Sequence, residues 1–321
     1  MKIAILSNGP GNYSTKRLKE VALARGHEVT IVKYKECYAS IEKSNPTVSY
    51  RGEDLPLFDA MIPRIASYMT RYGTAIVRQL ESQGVWTISS SIAINRSRDK
   101  LRSTQLLARA GVGIPKTVFS RNSTDIDDLI EKVGGTPVII KLARGTHGNG
   151  VVLAESKKAA KSVLQALYLS NEDGTNVLLQ EFVKESAGTD IRAFVVGSRV
   201  VASMKRQSLD DDFRSNLHKG GEGTAIKLTE EERRMHKGGE GSPVKLTDEE
   251  RKMCVKAAKA MGLTLAGVDF MRSSRGPLVL EVNASPGFGI ETVTGRDVAT
   301  PIIEYIERNA KRRHKKDKVG A

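Results

Sequence analysis

Residues 267–283 of this chain read GVDFMRSSRGPLVLEVN and hold the pattern that decides its fold. Two runs rich in apolar and β-branched residues, 267–271 and 277–283, flank the polar segment 272–276, which contains two serines and a glycine. Apolar runs of this length around a short turn-forming segment predict a β-hairpin.

Three polar residues within these strands, Asp269, Glu281 and Asn283, point to a cation site. Glu281 and Asn283 lie two residues apart and therefore share a face of the strand. A hairpin centred near Arg275 places Asp269 opposite Glu281, and two opposed carboxylates destabilise a bare sheet. A divalent cation removes that penalty, and Mg²⁺ prefers one or two carboxylates with waters and phosphates completing its shell. The alternative is an exposed polar face of the hairpin.

A second motif combines a lysine with a glycine-rich loop. The apolar strand 137–142 contains Lys141 and runs into the segment 144–151, RGTHGNGV. The glycines of this loop are Gly145, Gly148 and Gly150. They allow the backbone to approach a polyphosphate closely while the ammonium group neutralises its charge. A tight hairpin with an exposed lysine would use the same glycines, so this loop alone leaves both interpretations open.

The first 90 residues alternate strands and helices. Apolar strands are predicted at 2–7, 27–32, 58–62 and 85–88, and helices at 14–25 and 70–83. Ser14 is expected to cap the first helix, and Gly26 to end it. This alternation predicts a doubly wound α/β domain. No GxGxxG motif follows the first strand, so no dinucleotide site is predicted there.

The segment 91–110 is predicted as one helix that carries a dense cluster of charged residues. The cluster consists of Arg96, Arg98, Asp99, Lys100 and Arg102. A solvated helix face accounts for such a cluster as well as a ligand site does.

Composition bounds the class of protein. The 321 residues are 39% hydrophobic and 27% charged, enough for two or three domains. No apolar run approaches the ~18 residues of a membrane span, and residues 2–6 are too short for a signal-peptide core. We therefore expect a cytoplasmic protein with no membrane partner. Cys37 and Cys254 lack CxxC spacing, which argues against a disulfide framework or a cysteine metal site.

The net charge of +14 is partly concentrated near the C-terminal end, where residues 308–318 hold seven basic residues and one acidic residue. We interpret this basic tail as a solvated segment, with attraction to a phosphate-rich surface such as a ribosome as the alternative. Direct nucleic-acid binding is not expected elsewhere. The remaining positive charge suits an enzyme for anionic substrates.

Several segments together resemble the RimK-type α-L-glutamate ligases of the ATP-grasp superfamily. These segments are 1–7, 62–65, 98–103, 105–109, 180–185, 190–192, 212–217 and 281–287. The last two, DFRSNL and EVNASPG, are the most specific. The resemblance implies a chain of α/β and α+β class, in which a doubly wound N-terminal domain precedes an ATP-grasp fold whose two lobes enclose ATP.

The resemblance also implies a domain organisation. An N-terminal α/β domain (1–90) precedes a central lobe with a linker helix and the glycine-rich loop (91–180). A C-terminal lobe with the metal site (181–310) and the basic tail (311–321) follow.

Roles for individual residues follow from the resemblance. Lys141 would hold the nucleotide phosphates, assisted by Lys100 and the glycine-rich loop. Glu181 and Phe182 would contact the adenine through backbone groups, and Asp190 would bind the sugar.

The remaining roles concern the phosphates and the metals. Arg214, Ser215 and Asn216 would line the phosphate and acyl-phosphate region, with Arg214 and Asn216 acting in catalysis. Two Mg²⁺ or Mn²⁺ ions would be held by Asp269, Glu281 and Asn283, with Glu281 bridging them.

The reaction that the resemblance implies begins with transfer of the γ-phosphoryl group of ATP to a carboxylate. A free amine then attacks the acyl phosphate, giving an amide, ADP and phosphate. Metals and cationic side chains stabilise the phosphoryl charge, and Arg214 would stabilise the acyl phosphate. Because water would hydrolyse this intermediate, the 144–151 loop is the expected lid.

The implied substrates are L-glutamate and the acidic C-terminal tail of the small-subunit ribosomal protein number six, with poly-α-glutamate synthesis as related chemistry. The resemblance implies a homo-oligomer, a tetramer. Arg64, Arg71 and Arg78 could hold an acidic tail, or could be solvated surface arginines. Alternatives are a ligase for an amino-group carrier protein or a small cofactor, and a nucleotide-gated ribosome-binding module without catalysis.

One feature departs from the family pattern. Residues 218–235 (HKGGEGTAIKLTEEERRM) and 236–253 (HKGGEGSPVKLTDEERKM) are identical at thirteen of eighteen positions. Each copy has a glycine-rich turn and a capping box that begins at Thr229 or Thr247. Because a solenoid needs three or more repeats, we interpret the pair as a local tandem duplication in which one copy supplies the native connection.

Overall fold

The computed structural model describes residues 1–43, 45–121, 125–142, 151–169, 176–208 and 239–310. Within these ranges the chain forms sixteen strands in four sheets, together with nine α-helices. None of the helices described is both long and apolar enough to cross a membrane.

The strands are β1 (Lys2–Leu6), β2 (Glu28–Val32), β3 (Cys37–Ser40), β4 (Thr47–Tyr50), β5 (Glu53–Asp54), β6 (Ala60–Pro63), β7 (Trp86–Thr87), β8 (Thr117–Ser120), β9 (Val138–Leu142), β10 (Val151–Ala154), β11 (Val177–Glu181), β12 (Thr189–Val196), β13 (Arg199–Ser208), β14 (Gly239–Pro243), β15 (Leu265–Ser273) and β16 (Gly276–Asn283). The helices are α1 (Tyr13–Ala24), α2 (Thr70–Ser82), α3 (Ser91–Arg98), α4 (Lys100–Arg109), α5 (Ile126–Lys132), α6 (Lys157–Leu169), α7 (Asp248–Met261), α8 (Gly289–Thr294) and α9 (Ala299–Asn309).

The N-terminal region is the doubly wound layer that the sequence predicts. Its four strands are all parallel and lie in the order β2-β1-β6-β7. The predicted cap of α1 is wrong, because Asn12 occupies the N-cap position and Ser14 lies inside the helix. The hydroxyl of Ser14 instead accepts a hydrogen bond from Arg64. A small antiparallel sheet of β3, β4 and β5 follows β2 and was not predicted from the sequence.

The predicted single helix over 91–110 is wrong, because the segment forms two helices, α3 and α4, that meet at Asp99. The backbone of Asp99 is extended (φ −88°, ψ 105°), and its carboxylate accepts a hydrogen bond from the amide of Arg102 at 2.9 Å. Asp99 therefore caps α4, and a cap requires a non-helical backbone. The break allows Arg98 and Lys100 to reach different neighbours.

The central lobe is a four-stranded antiparallel sheet in the order β10-β9-β11-β8. Helices α5 and α6 pack against it around a core of its own that includes Ile130, Val138, Leu164 and Leu179. This lobe positions Lys141 on β9 and Glu181 at the end of β11.

The C-terminal sheet has the order β14-β13-β12-β15-β16, and every neighbouring pair is antiparallel. It shares hydrophobic clusters with the N-terminal layer, since Ile5 of β1, Phe194 of β12, Phe288 and Ile302 of α9 belong to one buried cluster. The two layers thus pack together, which brings the carboxyl ends of the N-terminal strands toward β15 and β16. The predicted domain limits remain predictions.

The second repeat copy is built into the C-terminal sheet. Its glycine-rich segment, predicted as a turn, forms β14 and pairs with β13. Thr247 and Glu250 form the predicted capping box at the start of α7, with both reciprocal hydrogen bonds present. The first copy, with Thr229, lies outside the described residues.

Candidate active site

The register of the β15–β16 hairpin places Asp269 opposite Glu281, as predicted. The turn is tighter than expected, because Ser273 pairs with Gly276 and leaves only two residues between them. A β-bulge near Asp269, in which Leu280 has no partner, shifts the register by one residue. Without the bulge Asp269 would face Leu280, so the bulge creates the opposed pair of carboxylates.

A row of charged side chains crosses the neighbouring strands. Arg192 on β12 lies opposite Asp269, and its guanidinium donates two hydrogen bonds to the Asp269 carboxylate, at 2.7 and 2.6 Å. Arg206 on β13 lies 3.0 Å from the same carboxylate and also donates to Asp190. Asp269 is only 1% exposed. The sequence motif 190–192 contains Arg192, but no role was predicted for Arg192 or Arg206. Their role depends on which strands lie side by side, and the sequence does not show this.

The surroundings of Asp269 and Glu281 shift their pKa values in opposite directions. Burial alone would raise the pKa of Asp269, but the charges of Arg192 and Arg206 outweigh it and hold that pKa well below its usual range. Crowding by protein atoms and the negative charge of Asp269 raise the pKa of Glu281, although its side chain remains open to solvent. Asn283 donates to Glu281 at 2.8 Å and lies 3.4 Å from Asp269.

This set of side chains fits a divalent cation. Asp269 is kept ionised, Glu281 has no cation hydrogen-bonded to it among the described residues, and Asn283 adds an amide oxygen. In the described ranges no three His, Cys, Asp or Glu side chains cluster in a way that suits a metal, so the amide is needed to complete the set. Oxygen donors of this kind suit Mg²⁺ or Mn²⁺. The number of ions remains a prediction.

Two lysines lie near enough to Glu281 to interact with its charge. Lys141 donates to Gln180 at 2.6 Å, and Lys100 donates to the carbonyl of Leu142 at 3.1 Å. Burial, aided by the charge of Lys100, lowers the pKa of Lys141 to about 8, while Glu281 opposes the fall. Burial likewise lowers the pKa of Lys100 against the same opposing charge. The structure therefore brings both predicted phosphate-binding lysines to the predicted metal carboxylate.

Glu181 and Phe182 line a cavity of about 360 Å³ together with residues 133–137 and Arg275. Arg275 lies in the turn of the hairpin, so this cavity is at the opposite end of β15 and β16 from Asp269. The Glu181 amide donates to the carbonyl of Lys116 at 2.9 Å, and adenine contacts by Glu181 and Phe182 remain predictions.

Other predicted site residues are placed differently from expectation or lie elsewhere. Asp190 is 5% exposed and bound by Arg206, so a sugar contact for it remains a prediction. Six predicted residues lie outside the described ranges, namely Gly145, Gly148, Gly150, Arg214, Ser215 and Asn216.

The three arginines that could hold an acidic tail differ in exposure, and that role remains a prediction. Arg71 and Arg78 are exposed on α2, whereas Arg64 is partly buried and its Nη1 atom is fully buried. Arg98 is also partly buried, and its charge interacts with that of Glu281. Their positions depend on packing between the N-terminal and C-terminal layers, and no local pattern marks them.

Comparison with known proteins assigns the chain. The model of the RimK PreATP-grasp domain matches residues 1–94, and that of the RimK-like ATP-grasp domain matches 97–235 and 233–306, two stretches that meet at the repeat. A probable alpha-L-glutamate ligase of Nitrosococcus oceani is 53% identical over 313 residues, covering 97% of both chains. One from Teredinibacter turnerae is 52% identical with the same coverage.

Solved structures with similar folds have lower identities. The ATP-grasp ligase PsnB, complexed with a minimal precursor, Mg and ADP, has a TM-score of 0.69 at 20% identity and covers 97% of this chain and 98% of its own. A RimK domain protein from Sphaerobacter thermophilus has a TM-score of 0.67 at 20% identity, covering 95% of this chain and 99% of its own. D-alanine–D-alanine ligase from Bacillus anthracis has a TM-score of 0.62 at 17% identity, with 97% and 98% covered.

The fold and the paired carboxylates define an ATP-grasp enzyme, a class that uses ATP with a divalent metal. Within that class, the chain belongs to the RimK-like ATP-grasp family. It is an ATP-dependent ligase, and the predicted family, fold class and enzyme class are confirmed.

Proposed function

We propose that this ligase joins L-glutamate to the terminal carboxylate of an acidic peptide tail, through an acyl phosphate made from ATP. The observation that carries the proposal is the Asp269–Glu281 pair, with Lys100 and Lys141 beside it. Relatives over nearly the whole chain are named alpha-L-glutamate ligases, and PsnB is described as bound to precursor peptides. We propose the C-terminal glutamate of the small-subunit ribosomal protein number six as acceptor.

The lysines bind the nucleotide in this proposal. Lys141 and Lys100 lie close enough to repel each other, so a polyphosphate between them relieves that repulsion and keeps both charged. Their amino groups balance charge on the phosphates, and Gln180 fixes the Lys141 side chain at 2.6 Å.

Asp269, Glu281 and Asn283 would hold the divalent cation, Mg²⁺ or Mn²⁺. When bound, such a cation stabilises the negative charge on the transferred phosphoryl group. Arg192 and Arg206 keep Asp269 ionised and fix both of its oxygens, and Arg206 also pairs with Asp190. Glu281 has more freedom, since only Asn283 and Asp269 bond its side chain among the described residues.

Each glutamate addition regenerates a terminal α-carboxylate, so the same site can act repeatedly. We therefore propose that short poly-α-glutamate chains form. We further propose a homo-oligomer, by family resemblance, and action in the cytoplasm, where an acceptor on the ribosome is found.

The test is mass spectrometry of an acceptor peptide that ends in glutamate, incubated with the enzyme, ATP, Mg²⁺ and L-glutamate. We expect a ladder of added glutamyl units, with one ADP released per unit. A peptide with an amidated C-terminus is the matched control and should gain nothing, because it has no terminal carboxylate to activate. Addition to the amidated peptide, or no addition to either peptide while ADP is still released, would refute this acceptor.

A further inference from the structure

The N-terminal sheet has a topological switch point beside the active site. Strand β1 lies between β2 and β6, so the chain leaves β1 toward one side and returns on the other. In open parallel sheets, ligands bind in the crevice outside the carboxyl ends of the strands at such a point. Arg64 directly follows β6 there, and its amide donates to the carbonyl of Leu6, the last residue of β1.

The guanidinium of Arg64 lies inside this crevice with few partners. Its Nη2 donates to Ser14 at 3.2 Å, and its carbon lies 5.3 Å from the centre of the buried Phe288 ring. Its Nη1 is fully buried and, among the described residues, has no hydrogen-bond partner. No carboxylate in the described ranges lies within ion-pair distance of Arg64. Burial and the charge of Arg98 lower the pKa of Arg64 to about 10, which is the expected result for a cation that lacks an anion.

Arg98 extends this cationic site toward the metal carboxylates. Its Nη2 donates to the carbonyl of Ile65 at 3.0 Å, and its buried Nε has no partner in the described part of the chain. Its charge acts on both Arg64 and Glu281. The break at Asp99 makes this possible, because Arg98 faces the N-terminal sheet while Lys100 faces β9.

Two sets of cations therefore lie near Glu281: Lys100, Lys141 and Arg98 interact with its charge, and Arg64 interacts with Arg98. Lys141 lies on β9 and Lys100 donates to Leu142 at the end of that strand, where the phosphates are expected. Arg64 and Arg98 lie on the N-terminal side, and planar guanidiniums with free N–H groups match carboxylates. In a glutamate ligase the substrates bring carboxylates that do not react, and each must be neutralised when it leaves water.

We propose that Arg64 and Arg98 form a binding site for a substrate carboxylate that is not the one activated. This inference rests on the proposed function, since it takes its ligand from the glutamate ligase reaction. The carboxylate has two possible sources, namely the incoming glutamate and the side chain of the acceptor's terminal glutamate. Both would place the reacting groups beside Glu281 by holding the substrate at its other end.

The test compares Arg64→Met with Arg199→Met, the same change at an exposed arginine on β13 that has no part in the proposed site. KM is measured separately for glutamate, for the acceptor peptide and for ATP. We expect Arg64→Met to raise the KM of one amino-acid substrate by about 10- to 100-fold, the effect of losing hydrogen bonds to a charged group, with the KM of ATP unchanged. A rise for glutamate assigns the site to the incoming amino acid, and a rise for the peptide assigns it to the acceptor.

Two further variants distinguish loss of the binding site from misfolding of the Arg64→Met protein. Arg64→Lys keeps the charge but loses the planar fork and should show a smaller rise in the same KM. Arg98→Met should raise that KM as well. An unchanged KM for both substrates in folded variants, or an equal rise for ATP, would overturn the carboxylate site. If the wild-type enzyme shows no glutamate-dependent ADP release, the proposed function fails instead, whatever the variants do.

Discussion

Two pairs of arginines lie near the active site, and they differ in their partners. Arg192 and Arg206 are bound to the carboxylates of Asp269 and Asp190. Arg64 and Arg98 donate only to a hydroxyl and a carbonyl among the described residues, and each keeps a buried nitrogen without a partner there. The two pairs therefore differ in whether a carboxylate of the protein neutralises their charge.

The contrast distinguishes cations that are ion-paired within the protein from cations whose anion, in our proposal, comes from a substrate. A buried ion pair fixes the position of its members, and removing one partner costs about 3–5 kcal/mol because it strands the other charge. A buried guanidinium with no anion already bears that desolvation cost in the free protein. Such local departures from a satisfied interior are expected where a ligand completes the structure.

The largest effect should come from Glu281→Gln, which removes a carboxylate proposed to hold the divalent cation. Loss of several kcal/mol of transition-state stabilisation corresponds to a fall in kcat of roughly 10³-fold or more. Without a divalent cation the folded protein should lose no stability, because the pKa of Glu281 is raised and the opposed negative charge is gone. Thermal unfolding with and without Mg²⁺ checks this, with the exposed Glu249→Gln as control. Full activity in a folded Glu281→Gln protein would refute the metal assignment.

The second-largest effect concerns the stability of the protein when an ion-paired arginine is removed. Arg206→Met should lower the free energy of unfolding by about 3–5 kcal/mol, because Asp190 and Asp269 would lose a buried partner. Arg275→Met breaks a half-exposed pair with Glu181 and should cost no more than about 1 kcal/mol. Urea denaturation measures both.

Arg64→Met should destabilise the protein far less than Arg206→Met, since no described carboxylate depends on Arg64. Equal losses of stability from the two substitutions would mean that Arg64 is a structural residue, and the contrast between the pairs would not hold.

A moderate effect concerns the lysines and pH. The protonated form of Lys141 binds phosphate, and its pKa is lowered to about 8, so affinity for ADP with Mg²⁺ should fall as pH rises through that value. Lys141→Arg should flatten this fall, because arginine stays charged. Lys141→Ala should weaken binding across the range. Calorimetric titration of ADP from pH 7 to 9 measures this, and affinity equal to wild type in Lys141→Ala would place the phosphate site elsewhere.

The smallest effect should come from the repeat. Deleting 218–235 joins Leu217 to His236, restores the same junction sequence, and leaves β14 and the Thr247 cap intact. Doubling the length of a loop costs only about 0.6 kcal/mol of closure entropy, so stability and activity should be nearly unchanged. Deletion of both copies, 218–253, is the control and should abolish folding because it removes β14 and the start of α7. Loss of activity from the single deletion would show that the first copy is an integrated element.

The sequence predicted the elements that depend on local patterns. Two apolar runs around a turn-forming segment were enough to predict the hairpin, and Thr247 with Glu250 was enough to predict a capping box. The Asp269–Glu281 pair was predicted from an assumed centre near Arg275, and the structure forms it through the bulge instead. Lys141 was singled out because it lies near the end of an apolar strand that glycines follow, and its phosphate-binding role remains a prediction. These signals lie within a few residues of one another, so side-chain periodicity and capping chemistry determine them.

Tertiary structure decided the rest. The bulge at Leu280 and the break at Asp99 are single-residue departures from regular pattern that packing selects. Arg206 belongs to the site because β13 lies beside β12, and Arg64 lies in the crevice because two layers far apart in the chain share a core. Whether a charge is solvated, paired or left for a ligand depends on which distant residues enclose it, and a one-dimensional pattern does not contain that information.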